Sequence, residues 1–184
     1  MVSKLDCFHG LGIKRYTLAV MSLDTHQSVY REQLLAHLVV GELLKHSWLH
    51  HNASLEVSAP AIDRSGHDLV LEANRITRHV QFKSSASSSK TSSQKVHVDL
   101  AEKASGCVIW IVFDAKALTI EKFFFFGGAP GAAMPSIDQY RVAKHTRGNA
   151  QGVKRERPNL HVVPRSLFTE ISSTEALYEA LFGG

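Results

Sequence analysis

Asp68 and the triplet Gln81-Phe82-Lys83 carry the side chains of this chain best suited to chemistry. Around them run two apolar stretches, Leu69-Val70-Leu71 and Ile76 to Phe82, separated by the polar turn Ala73-Asn74-Arg75. That pattern predicts a β-hairpin. Strand side chains alternate, so Gln81 and Lys83 share one face while Val80 and Phe82 share the other. Asp68 opens the partner strand. The hairpin therefore brings a carboxylate, an amide and an ammonium to one end of a sheet. Carboxylate and amide oxygens are hard ligands suited to Mg²⁺. An ammonium beside them can orient a water or steady a phosphate oxygen. The plainer alternative is the solvated side of an amphipathic hairpin.

Gly66-His67-Asp68-Leu69 and Gln81-Phe82-Lys83 together resemble the PD-(D/E)XK nuclease superfamily, in its Mrr-type restriction endonuclease variant. In that variant the metal-binding Asp follows a Gly, and Gln replaces the second acidic residue. The Pro-Asp that names the superfamily is absent here; Ala61-Ile62-Asp63 stands before the motif. The resemblance covers residues 28 to 114 or so and implies an α/β fold. Its restriction-endonuclease-like core would be a mixed central β-sheet flanked by helices. The implied activity is metal-dependent hydrolysis of DNA phosphodiester bonds, in bacterial restriction, defence or repair. Carried over, the resemblance puts metal binding on Asp68, metal or water contact on Gln81 and catalysis on Lys83. A Glu on the helix before the hairpin would complete the metal site. Glu32 is the first choice and Glu42 the second. The implied cofactor is Mg²⁺, with Mn²⁺ as an alternative. The implied partners are DNA, with RNA as an alternative, and a second copy of the chain.

The elements that must position these groups are legible. Leu34, Leu35, Leu38, Val39, Leu43 and Leu44 recur at helical spacing, predicting a helix over 28–46 with Ser28 as its cap. Glu32 then falls near the first turn, where a carboxylate suits the helix dipole. Cys107 to Phe113 is a continuous apolar run and reads as a buried central strand. Phe123-Phe124-Phe125-Phe126 reads as a second strand, with core aromatics and one outer one. The predicted core strands are Asp68–Ala73, Thr77–Ser84, Cys107–Phe113 and Lys122–Phe126. Lys95 to Leu100 is either a short strand or the entry to a helix. The serine-rich stretch from Ser84 to Ser93 reads as a polar loop. Val162 to Phe168 predicts a last strand and turn. Ser173 caps a short C-terminal helix that buries Ala176, Leu177, Ala180 and Leu181.

A second stretch carries charge. Arg141, Lys144, Arg147, Lys154, Arg155 and Arg157 lie within seventeen residues, opposed only by Glu156. Gly148 and Gly152 allow a tight loop there. Such charge suits phosphate neutralisation, and these six residues are the candidate nucleic-acid contacts. The alternative is a solvated basic loop. Gly127 to Pro135 has no G-K-[ST] ending, which excludes a phosphate-cradling P-loop.

Composition is compatible with this reading. The 184 residues suffice for one domain with a sizeable core. Within it, 1–25 is an N-terminal extension without clear periodicity, 28–126 the nuclease-like core, and 127–184 the basic loop with a last strand and helix. Met21 is an alternative start. The net charge of +4 and pI near 9.1 favour a polyanionic partner. Cys7 and Cys107 are distant in sequence, which fits reduced thiols and a cytoplasmic setting. No apolar run is long enough to span a bilayer, so no membrane partner is expected. Eleven histidines are many. His46, His50 and His51 cluster around Trp48, and with no Cys or second spaced pair nearby they read as a surface group. Two other functional classes remain open. One is a catalytically inactive nucleic-acid-binding module on the same fold. The other is a protein-interaction or regulatory protein.

Overall fold

The computed structural model describes residues 13–62, 66–145 and 151–183, with side chains from residue 27 onward. The chain divides into two compact units, one ending at Leu34 and one spanning Leu35–Gly184. In the first unit the described residues are helical, and Tyr30 and Glu32 are exposed. Helix α1 is Ile13–His50. It therefore begins well before the predicted Ser28. Ser28 lies inside the helix rather than capping it, and Glu32 is not near the first turn. The physical reason is that Ile13 to Gln27 contains neither Gly nor Pro. Nothing in that stretch stops a helix from propagating, whether or not it carries an apolar stripe.

In the second unit a six-stranded sheet has the order β1-β2-β3-β5-β6-β9. Its strands are β1 (Glu56–Ser58), β2 (Leu69–Ala73), β3 (Ile76–Ala86), β5 (Gly106–Phe113), β6 (Ile120–Gly127) and β9 (Thr169–Ile171). All neighbours are antiparallel except β3 and β5. A parallel pair needs a long crossover. Here the crossover contains β4 (Ser93–His97) and the single turn α2 (Val98–Ala101), so Lys95 to Leu100 supplies both a strand and a helix entry. β4 belongs to a second, three-stranded antiparallel sheet of order β4-β8-β7, with β7 Val142–Lys144 and β8 Glu156–Pro164. Strand β8 thus begins before the predicted Val162, because Glu156 and Arg157 pair with β7, and the last strand is β9 rather than the predicted 162–168. The expected α/β class with a mixed central sheet flanked by helices is what the chain adopts.

Alternation sorts the sheet side chains into two cores. Val80, Cys107, Ile109, Ile111, Phe123 and Phe125 pack with Leu35, Val39 and Leu43 of α1 and with α3 (Thr174–Phe182). Val108, Trp110, Val112, Phe124 and Phe126 face the other way, with Val96 of β4 and Val163 of β8. Every residue of β5 is buried, as expected for a strand covered on both sides. All four phenylalanines of β6 are buried too, two on each face, so no outer aromatic remains. Ser173 caps α3 by accepting from the Ala176 N–H at 3.2 Å. The far end of α3 is held by Arg78 of β3, fully buried on the helix side of the sheet. Its Nε donates to the Leu181 carbonyl at 2.8 Å, and its Nη2 to Ala180 and Gly128 at 3.0 and 3.1 Å. A guanidinium at a helix C-terminus satisfies orphan carbonyls and suits the dipole.

Candidate functional site

Asp68 immediately precedes β2. Its N–H donates to the Val80 carbonyl at 2.8 Å, continuing the β2–β3 ladder by one residue. Its carboxylate oxygen Oδ2 accepts from the Phe82 N–H at 2.6 Å. Both bonds have one cause. The Val80 carbonyl and the Phe82 N–H point toward β2, but β2 stops opposite Val80. The Asp68 side chain supplies the acceptor that the missing strand residue would have given. It is thereby held between the positions of Gln81 and Lys83. A carboxylate accepts at both oxygens, so a bond at Oδ2 is compatible with metal contact at Oδ1.

Gln81 and Lys83 share a face, as alternation required. Gln81 is in register with Val108 and Lys83 with Trp110, which places both on the side of the small sheet. Lys83 is half-buried. Ser85, two residues on, accepts from Trp110 Nε1 at 2.8 Å on that same face. Gln81 is more buried than a solvated strand face would allow, at 6% exposure. Its Nε2 donates to the Gly66 carbonyl at 2.6 Å. Its Oε1 is buried without a hydrogen-bond partner among the described residues. A buried acceptor left alone is costly, so this oxygen is one that a ligand or water would satisfy.

Gly66 makes that arrangement possible. Its φ of +70° is one that side chains rarely adopt, and a Cβ there would lie 2.2 Å from His97 Cβ. The turn before β2 thus lies directly against the end of β4. His97 in turn caps α2, its Nδ1 accepting from the Asp99 N–H at 3.2 Å. His67 is buried and meets His79 edge-on at 5.1 Å. His79 Nδ1 lies 3.0 Å from the Ala104 carbonyl. Three histidines therefore surround the Gly66–Gln81 junction. Sequence reasoning missed them; the signal available was only the high histidine count.

The two candidate helix glutamates fare differently. Glu42 is exposed and paired with Lys45 at 3.2 Å. It lines a groove with Val39, Thr119 and Phe123 on the helix side of the sheet, whereas Gln81 and Lys83 project to the opposite side. It is not gathered with the hairpin residues. Glu32 belongs to the first unit, where it is exposed on α1.

Among the described residues no three His, Cys, Asp or Glu side chains form a metal cage. What the hairpin offers is one carboxylate and one amide oxygen. Mg²⁺ keeps several waters and is commonly held by one or two carboxylates, so this all-oxygen donor set fits it.

The basic stretch is a hairpin rather than one loop. Lys144 pairs in register with Glu156 and Ala143 with Arg157, and the His145 N–H donates to the Arg155 carbonyl at 2.9 Å. Arg141, Lys144, Lys154, Arg155 and Arg157 are all exposed. Arg147 lies outside the described residues. The hairpin has a definite relation to the site. His97, which abuts Gly66, pairs with Leu160. Arg157 lies three residues further along β8, about 10 Å away by strand rise. The positive end of the small sheet therefore extends beyond the edge where the Gln81 junction sits.

Cys107 is a free thiol, pushed up to about 12 by burial, and so is no nucleophile. No helix among the described residues is long and apolar enough to cross a membrane.

No protein-family model and no curated protein matches the chain. A solved structure similar to it is that of a bacterial homing endonuclease, I-Ssp6803I, at 22% identity. The match covers 53% of this chain and 62% of that one, with a TM-score of 0.33. A likeness this slight carries no argument, and the functional reading rests on the site.

Proposed function

We propose that this chain is a metal-dependent nuclease that hydrolyses DNA phosphodiester bonds. The observation that carries the reading is the Asp68 carboxylate pinned to the Phe82 N–H, between Gln81 and Lys83 on one sheet face. The exposed cations of the β7–β8 hairpin, beyond the same edge, support a polyanionic substrate.

In this reading Asp68 and the Gln81 Oε1 would hold Mg²⁺, or Mn²⁺ in its place, with waters filling the remaining positions. The bound cation would stabilise the charge that develops as a water attacks phosphorus in line. Lys83 orients that water or contacts a non-bridging phosphate oxygen. Gly66 fixes which end of the Gln81 amide is available, since Nε2 is committed to its carbonyl. Arg141, Lys144, Arg147, Lys154, Arg155 and Arg157 neutralise the backbone and position it without reading bases. The setting implied by the sequence resemblance is bacterial restriction, defence or repair.

The test is cleavage of plasmid, single-stranded and branched DNA with Mg²⁺, with Mn²⁺ and with chelator. Cleavage that needs the cation supports the reading. DNA binding without cleavage would make the protein a nucleic-acid-binding module, a role the neutral Gln81 would suit. Neither binding nor cleavage would return it to an interaction protein.

A further inference from the structure

The last turn of α1 and the residues just after it carry a ring cluster against α3. His46 and His51 bring their Nε2 atoms to 3.3 Å. Both rings rest on Tyr178. His51 stacks on it at 4.4 Å and 17°, and His46 lies 5.1 Å from it at 57°. Tyr178 is fully buried in the helix-side core, so this platform is fixed. His50 is exposed, its ring 4.8 Å from that of His46.

The 3.3 Å separation is that of a long N–H···N hydrogen bond, with the donor set by the tautomers of the two rings. It matches another geometry closely. Metal–imidazole bonds of about 2.0–2.1 Å at a tetrahedral angle set two ligating nitrogens about 3.3–3.4 Å apart. The surroundings favour a cation as well. The C-terminus of a helix is its negative end, and His50 ends α1.

We propose that the Nε2 atoms of His46 and His51 form a binding site for a borderline divalent cation of the zinc class, with water completing the coordination. Imidazole nitrogens select such ions over Mg²⁺, which prefers oxygen. The site is therefore chemically separate from the one at Asp68 and Gln81. Its consequence is structural. The ion ties the end of α1 to the segment that leads into β1, beside Tyr178 of α3.

The experiment titrates the full chain with Zn²⁺ in competition with a chromogenic chelator. The variants are His46→Ala, His51→Ala, His50→Ala and Asp68→Asn. The wild type should take up one equivalent. His46→Ala and His51→Ala should each weaken uptake by at least about tenfold, the loss expected even for outer-shell changes. Asp68→Asn should bind as the wild type does, and His50→Ala should lose less than the other two. A readout that needs no variant is the electron paramagnetic resonance of the wild type loaded with one equivalent of Cu²⁺. Two coordinated imidazole nitrogens are expected. Fewer than two, or zinc uptake that survives both His46→Ala and His51→Ala, would overturn the proposal. Loss of zinc in Asp68→Asn alone would move the ion to the hairpin and overturn it too. None of these outcomes bears on whether DNA is cleaved.

Discussion

Gln81 donates its side-chain amide to the Gly66 carbonyl at 2.6 Å, and that bond ties the turn before β2 to the strand that carries Lys83. It explains why a glycine is required two residues before Asp68. The backbone there has φ of +70° and abuts His97. Gly66→Ala should cost about 1–3 kcal/mol from backbone strain alone. The His97 contact adds to that. Chemical denaturation of the variant measures the cost. Wild-type stability in Gly66→Ala would mean that the turn relaxes freely and does not position Gln81.

Asp68→Asn tests the carboxylate. The amide keeps an oxygen that can accept from the Phe82 N–H, so the hairpin should stay folded. The charge that would hold Mg²⁺ is gone. Cation-dependent cleavage should fall to background, with a circular dichroism spectrum like that of the wild type. Equal cleavage by the two proteins would sink the catalytic assignment.

Lys83→Ala separates binding from chemistry. An interaction made mainly in the transition state lowers turnover and leaves ground-state binding nearly intact. Cleavage should disappear, while the Kd for duplex DNA rises only a few-fold. Complete loss of binding in a folded variant would make Lys83 a docking residue instead.

The basic hairpin makes an ionic-strength prediction. Replacing Lys144, Arg147, Lys154 and Arg155 with Ala should weaken binding to all sequences alike. Each lost phosphate contact should flatten the slope of log K against log salt by about 0.9 on duplex DNA. Lys144 sits opposite Glu156, so its contribution should be the smallest of the four. A slope unchanged in the quadruple variant would make the hairpin a merely solvated surface.

Arg78→Met should destabilise the fold by on the order of 3 kcal/mol, because it leaves carbonyls at the C-terminus of α3 without their donor. Burial already lowers the Arg78 pKa, so the charge is tolerated only because those carbonyls receive it. The readout is the denaturation midpoint. A neutral effect would show that water replaces the guanidinium there.

Much of the central sheet followed from local pattern. Alternation placed Gln81 and Lys83 on one face, and the apolar run from Cys107 placed β5 in the middle. Ser173 announced α3 because a hydroxyl cap is a short-range device, satisfied three residues away. Such features depend on neighbours in the chain, and a sequence states its neighbours. The beginning of α1 was hidden for a related reason: a helix needs no apolar stripe to propagate, only the lack of a breaker.

Tertiary structure decided the rest. Gln and Arg side chains are ordinarily solvated, yet Gln81 and Arg78 are both buried. Arg78 is buried because α3, about a hundred residues later, ends over it; Gln81 is buried because Gly66 and His97 close over that face. The small sheet joins Ser93–His97 to Leu160–Pro164, a pairing that neither segment announces. The same holds for Glu42, whose residue type suits a metal but whose side of the sheet does not. Burial and convergence are properties of distant segments brought together, and no local period encodes them. The sequence alone determined which residues bring a carboxylate, an amide and an ammonium; the folded chain decided which of them share a face.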